Sequence, residues 1–351
     1  MWFSCASVRG RRVAGTERGA PLSTTAQTRM DKPCKSINLN FEKQFLPPVY
    51  ICVFIVGLLA NIWALECLLH NWKKIGCVNV FVLNLGLADI LYLLTLPFLM
   101  VYYIKGCWMF GQIHCKITRF FFSVNLYCSI AFLTCISVYR YLAIVHPMRV
   151  HGRMTVTRSA VISALVWILA ILQSLPDVFF LKTDDDNSGC FDTTTNDYVE
   201  NYLMYSLGWT LSGFVIPTFI TLGCYGHIIV VLCLKNNVDK GLKERTLKLM
   251  IVLIVLFSVC YIPYHVFKNL NLWSRVLQKQ DKCYEWFNGI YIGHQIGRGM
   301  ACLNSALNPL VYLFVSEDIA IKIRNLHNGL RRISNFWFTN SQNYPLSIES
   351  I

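Results

Sequence analysis

Residues 112–145 read QIHCKITRFFFSVNLYCSIAFLTCISVYRYLAIV. The run is apolar and long enough to cross a bilayer as a helix, which takes about 20 residues. It carries Arg119 near one end and Arg140 near the other. At 1.5 Å of rise per residue, the 21 steps between these arginines span about 31 Å, close to the thickness of the hydrocarbon layer. If Arg140 stands at one face of the membrane, Arg119 stands near the other.

Six further apolar runs flank this one, at roughly 46–69, 77–104, 157–181, 202–234, 243–272 and 286–314. Of 351 residues, 55% are hydrophobic and 15% charged, where a soluble chain carries about 25% charged residues. Lipid offers no partner to unpaired backbone groups, so the runs must be helices that pack together. The expected architecture is an all-α membrane protein, a seven-transmembrane helix bundle over 46–315. Residues 1–45 form an N-terminal segment, and residues 316–351 a tail that opens with a short amphipathic helix. In that helix Ile319, Ile323 and Leu326 share a face, with Lys322 and Arg324 towards the headgroups.

Lys and Arg in the short loops set the orientation. The loops at 70–76, 146–158 and 235–248 hold two, three and five, against one, one and three at 105–111, 182–201 and 273–285. The tail adds Lys322, Arg324, Arg331 and Arg332. The tail is therefore expected in the cytoplasm and the N-terminus outside, as in a multi-pass plasma-membrane protein. Residues 1–29 hold five arginines and no apolar core of signal-peptide length; they read as an upstream extension ahead of a more ordinary start at Met30. The net charge of +13 is spread over loops, extension and spans. No basic stripe with stacking aromatics lies outside the spans, so nucleic acid is not an expected partner.

Neither a nucleophile–base pair nor a metal triad is apparent, so no enzyme is read. Of the fifteen cysteines, many sit inside spans and read as small buried apolar residues. Cys34, Cys107, Cys115, Cys190 and Cys283 fall on the outer, oxidising side, where disulfides persist.

The chemistry lies in three cations within apolar runs: Arg119, Lys268 and Arg298. A charge inside a span costs about 3 kcal/mol on insertion scales and marks a functional site by default. Lys268 stands five residues beyond Pro263 and Arg298 eleven before Pro309, which brings all three to one depth. A single arginine near a helix end snorkels to the headgroups; three of one sign on three helices point to a pocket for a polyanion. Arginine offers oxyanions a planar fork of donors and lysine a mobile point charge, a set suited to a di- or triphosphate. Tyr127, His265, Tyr291 and Gln295 lie where they could bond or stack with a base and ribose. Each alone is more ordinarily a packing residue or an interhelical hydrogen-bond partner.

Motifs along the chain carry a resemblance. They are Gly57 to Asn61 (GLLAN), Leu83 to Asp89 (LNLGLAD), Trp108 with Phe110 and Gly111 (WMFG), Cys115, Arg140–Tyr141, and Trp167. Pro217 with Tyr225, Cys260 to Pro263 (CYIP) and Asn308 to Tyr312 (NPLVY) follow. Over about residues 45–330 the chain resembles the rhodopsin-like (class A) G-protein-coupled receptors. Within them it is most similar to the nucleotide-sensing purinoceptors, especially the ADP type. That narrower likeness rests on Asn125 to Ser129 (NLYCS), Cys190 to Thr194 (CFDTT), Tyr261 to Leu272 (YIPYHVFKNLNL) and Tyr291 to Leu303 (YIGHQIGRGMACL).

The resemblance implies a receptor for an extracellular, ADP-like nucleotide that works through a q-class heterotrimeric G protein, phospholipase C and calcium, with arrestin as a further candidate partner. It places Asn271 and Arg275 at the pocket mouth and Asp192 in a loop over it. It implies disulfides Cys115–Cys190 and Cys34–Cys283, leaving Cys107 without an assigned partner. Asp89, Ser129, Asn304, Ser305 and Asn308 would coordinate a structural sodium ion; the alternative is a protonated Asp89 in a hydrogen-bond network. Arg140, Tyr225, Tyr261, Pro263, Asn308, Pro309 and Tyr312 would form the switch and G-protein end.

The chain departs from the pattern where Tyr139 replaces the acid before Arg140, where Lys243 takes the facing position on the sixth span, and where the ADP type carries Asp in place of Asn308. The first two imply a weak resting lock and some basal signalling. Two alternatives stay open: the same architecture with a dicarboxylate (succinate or 2-oxoglutarate) or lipid anion as ligand, and an anion channel or transporter.

Overall fold

Helices dominate the computed structural model, which describes residues 37–70, 76–150, 154–183, 189–234 and 240–315, with 328, 331 and 332. Six helices are long and apolar enough to cross a membrane: α1 (Asn40–His70), α2 (Cys77–Lys105), α3 (Gly111–Val145), α4 (Val156–Phe179), α5 (Asn196–Leu234) and α6 (Lys243–Lys279). A seventh, α7 (Phe287–Val315), has comparable length. It carries His294, Gln295, Arg298, Asn304 and Asn308, so polar groups dilute its apolar content. Those side chains are buried against other helices and do not face lipid.

The helices close into a ring with α3 through its middle. The first helix packs on α2 and α7, α6 packs on α7, and α3 touches α2, α4 and α5. Burial follows this order: 72% of the most apolar window of α3 is buried, against 22% in α4 and in α5. The outward faces of α4 and α5 expose Ile168, Leu169, Leu172, Phe219 and Leu222, as lipid-facing surfaces do.

Proline sets the local breaks. The second helix is interrupted at Leu94–Thr95, just before Pro97, where the Thr95 hydroxyl donates to the Tyr92 carbonyl at 2.7 Å. Wide π-helical turns occur at Leu211–Val215 and Phe257–Tyr261, directly ahead of Pro217 and Pro263. A proline has no N–H to give to the carbonyl four residues back, and the widened turn absorbs the mismatch. Beside the second of these turns Gly297 of α7 meets α6. A Cβ there would stand 2.9 Å from the Tyr264 Cα, so only glycine lets the two backbones approach so closely.

Some boundaries differ from the sequence reading. The first helix begins at Asn40 rather than near 46, where Phe41 and Phe45 stack on one face at 5.4 Å between centroids. The sixth runs on to Lys279. The extension at 1–29 and Cys34 lie outside the described residues, as does the tail helix expected at 316–332 apart from residues 328, 331 and 332.

Candidate functional site

At the end of the bundle opposite Arg140, the loop between α4 and α5 is tied down twice. Cys190 is bonded to Cys115 of α3, and its carbonyl accepts a 2.7 Å hydrogen bond from Arg119 Nη2. This clamp carries Asp192 into the bundle. Asp192 Oδ1 lies 3.6 Å from Arg119 Nη1 and 3.8 Å from Arg298 Nη1, and Oδ2 lies 3.2 Å from His294 Nε2. These are charge contacts: neither carboxylate oxygen has a hydrogen bond of good geometry among the described residues. Burial pushes the Asp192 carboxyl up, but Arg298, His294 and Arg119 outweigh burial and hold it well below the usual carboxylate range.

Arg119 and Arg298 also share a neutral acceptor. The Tyr103 hydroxyl accepts from Arg298 Nη2 at 2.8 Å and from Arg119 Nη2 at 3.4 Å. Glu42 of α1 completes the group, with Oε2 3.7 Å from Arg298 Nη2. Two cations from α3 and α7 are thus gathered around acids from a loop and from α1.

A cavity of about 480 Å³ opens above this cluster. Of the residues proposed for a ligand, Asp192, Asn271, Arg275, Tyr291, Gln295 and Arg298 line it. Arg275 is already engaged: its guanidinium donates to Asn196 Oδ1, Thr193 Oγ1 and the Thr194 carbonyl at 2.7–3.0 Å. It holds the loop down as much as it faces the mouth. Gln295 Oε1 is buried without a hydrogen bond among the described residues.

The other four are not among the lining residues. Arg119 stands behind Asp192. Lys268 turns towards α5, its Nζ 5.7 Å from the ring centres of both Tyr202 and Tyr264; among the described residues it has no carboxylate at ion-pair distance. Tyr127 and His265 form a separate layer, their rings 6.4 Å apart, with His265 stacked on Phe214 at 4.4 Å. The even gathering of three cations expected from spacing is therefore a close pair, Arg119 and Arg298, with Lys268 to one side.

Sequence reasoning missed Tyr103, His294, Glu42 and the Asp177–Lys182 pair. Lys182 is fully buried; it donates to Asp177 Oδ1 at 2.9 Å and to the carbonyls of Asp192 and Thr193 at 3.2 and 2.7 Å. The Tyr202 hydroxyl donates to the same Asp177 oxygen at 2.7 Å. Burial pulls the Lys182 ammonium below its ordinary range against the opposing field of Asp177. An acid and a base five residues apart where an apolar run ends were the available signal.

Mid-bundle, Asp89 Oδ2 accepts from Asn308 Nδ2 at 2.8 Å and from the Tyr312 hydroxyl at 3.4 Å. The Asn125 amide is best oriented with its nitrogen donating to Asp89 Oδ1 at 3.1 Å and its oxygen accepting from Ser305 Oγ at 2.9 Å. Ser129 Oγ lies 3.4 Å from that amide. Asn304 Oδ1 and Asn308 Oδ1 are buried acceptors with no hydrogen bond among the described residues. The donors around Asp89 form the hydrogen-bond network expected as the alternative to a cation; the two unbonded acceptors, Asn304 Oδ1 and Asn308 Oδ1, are of the oxygen type that a hard cation such as sodium takes.

At the far end, Arg140 Nη2 donates to the Phe314 carbonyl at 3.3 Å, and Arg245 Nε donates to the same oxygen at 2.9 Å. Tyr225 and Ser137 share a 2.5 Å hydroxyl contact. Tyr261 is fully buried beside the Pro263 turn. Lys243 donates to the Leu232 carbonyl at 3.3 Å. Cys107 and Cys283 are disulfide-bonded, so neither competes with Cys190 for Cys115; the pairing expected between Cys283 and Cys34 lies outside the described residues because Cys34 does.

A family model described as 7 transmembrane receptor (rhodopsin family) matches residues 60–312. The purinoceptor 1 of Gallus gallus is 38% identical over 305 residues, covering 86% of this chain and 83% of that protein. Its Mus musculus counterpart is 36% identical over 317 residues, covering 89% and 84%. The 2-oxoglutarate receptor 1 of Rattus norvegicus is 33% identical over 288 residues, covering 81% and 85%. With its helical bundle, its Cys115–Cys190 clamp and these likenesses, the chain belongs to the rhodopsin family of seven-transmembrane receptors, as a G-protein-coupled receptor of the purinoceptor type.

Proposed function

We propose that this receptor sits in the plasma membrane with its N-terminus outside and binds an extracellular nucleotide of the ADP kind. The observation that carries the reading is the convergence of Arg119 and Arg298 on one carboxylate, Asp192, at 3.6 and 3.8 Å beside a cavity. A site that holds one oxyanion between two guanidinium groups can hold another, and a phosphate brings more charge and more acceptor oxygens than a carboxylate. The names of the purinoceptor relatives support the same class of ligand. Tyr291, Gln295 and Asn271 face the space that a base and ribose would fill.

Signalling needs a ligand that favours one arrangement of the helices over another, since only differential affinity shifts a population. Lys268 lies five residues beyond Pro263 on α6. Turning it from the Tyr202 and Tyr264 rings towards a phosphate would pull on that kink. Tyr261, at the kink, and the Asn308–Pro309–Tyr312 segment would relay the movement to Arg140, where a q-class G protein, and then arrestin, would engage. A sodium ion at Asp89, Ser129, Asn304, Ser305 and Asn308 would favour the resting arrangement.

One observation favours a second reading. Asp192 is itself a carboxylate seated between the two arginines, and the 2-oxoglutarate receptor is also similar. A dicarboxylate would need only those two cations.

Calcium release in transfected cells challenged with ADP, ATP, UDP, UTP, succinate and 2-oxoglutarate separates the two. ADP is expected to act at the lowest concentration, and Arg298→Ala to abolish the response when compared with wild type at equal surface expression. A response to succinate alone overturns the nucleotide assignment.

A further inference from the structure

Glu42 lies in the first turn of α1, and the binding scheme above gives it no task. Its Oε2 is 3.7 Å from Arg298 Nη2 with the side chain 18% exposed, and it lines the same cavity as Lys43 and Arg275. Tyr291 lines the cavity with it. Arg298 is thus shared by two acids from different elements, Asp192 on one amino group and Glu42 on the other.

Both acids have held backbones: Asp192 sits two residues from the Cys115–Cys190 bond, and Glu42 is part of a 31-residue helix. A phosphate chain that takes the place of Asp192 at Arg298 still has Glu42 beside it. Coulomb repulsion from a fixed carboxylate grows in proportion to the charge on the ligand, and at a few ångströms it acts inside the screening length of physiological salt. The residue therefore costs a triphosphate more than a diphosphate and a monophosphate least.

We propose that Glu42 is a charge-selecting residue: its carboxylate, held beside Arg298, limits how many phosphate charges the cavity accepts and favours a diphosphate over a triphosphate. The inference rests on the nucleotide reading for the identity of the ligand. The geometry beneath it concerns polyphosphate charge and is testable without a nucleoside.

The test compares wild type with Glu42→Gln, with Glu42→Ala as a second neutral variant and Glu42→Asp to retain the charge. Binding of inorganic pyrophosphate and tripolyphosphate to the purified receptor is followed by thermal stabilisation in detergent, and calcium responses to ADP and ATP are recorded in cells. The neutral variants should gain on both inorganic probes, with tripolyphosphate gaining about tenfold more than pyrophosphate, a difference of about 1.4 kcal/mol. The ratio of ATP to ADP potency should move the same way, and Glu42→Asp should keep the wild-type ratios. A purely structural role for Glu42 would weaken both probes alike and leave the ratio unmoved. Equal shifts for the two probes overturn the proposal, as does the absence of probe binding to any of the proteins. If the probes behave as expected while no nucleotide activates the wild type, the nucleotide reading fails and the role of Glu42 stands.

Discussion

Asp192 and Arg119 meet in the mouth of the bundle, Oδ1 3.6 Å from Nη1, with side chains 7% and 2% exposed. The contact is built by its neighbours: the Cys115–Cys190 disulfide fixes the loop to α3, and the Cys190 carbonyl takes a hydrogen bond from the same arginine. A buried acid then stands between two buried bases. The arrangement contributes little if all members are replaced together, but it is costly to break singly, because the remaining charge is left uncompensated.

Asp192→Asn should therefore destabilise the purified receptor by about 3 kcal/mol, read as a lower melting temperature in detergent. The sign of the pH dependence follows from the depressed carboxyl. Its folded value lies below the unfolded one of about 3.9, so its contribution is present above that pH and is lost as pH falls through the folded value. The melting difference between wild type and Asp192→Asn should be flat from about pH 8 to 5 and shrink only below about pH 4. A difference that vanishes between pH 7 and 6 would show that Asp192 is not held in this way.

The Asp177–Lys182 pair, 2.9 Å apart with side chains 3% and 0% exposed, makes a second case. Lys182→Met leaves the Asp177 carboxylate buried without its cation, and a loss of about 3 to 5 kcal/mol is expected. Adding Asp177→Leu should recover a large part of it, since the orphaned charge goes too. If the double variant melts no higher than the single one, the lysine acts through its bonds to the Asp192 and Thr193 carbonyls rather than through the acid.

At the opposite end, Arg140 donates to the Phe314 carbonyl, a neutral acceptor it shares with Arg245. A hydrogen bond to a carboxylate is stronger than one to a neutral carbonyl. Tyr139→Asp puts a carboxylate next to Arg140, and G-protein activation without ligand should fall at least about twofold, the effect of roughly 0.4 kcal/mol. Unchanged basal output at equal surface expression rules out a weakened resting lock.

Much of this molecule could be read in one dimension. Whether a run of residues can sit in lipid depends on the composition of that run alone, so the helices were legible from 46–69 to 286–314. Arg119 and Arg140 could be assigned to opposite ends of α3 from a rise per residue. Motif residues such as Asn308 and Tyr312 carried the family. Direction was not legible in the same way. Lys268, brought to the depth of Arg298 by counting from Pro263, turns to the Tyr202 and Tyr264 rings, because a count along a helix fixes depth and leaves the direction of a side chain to the neighbours that packing supplies.

The chain by itself determined that there are seven membrane-length helices, which end of α3 carries which arginine, and that three buried cations need a reason. Only the tertiary structure decided that Asp192 and Glu42 meet Arg298 from a loop and from α1, that Tyr103 joins the two arginines, and that Lys182 holds the loop from below. The physical reason is range. Solvation by lipid and helical rise are local properties, whereas a buried charge is costly to leave uncompensated, and its partner is whatever distant group the packing of the bundle brings within about 4 Å.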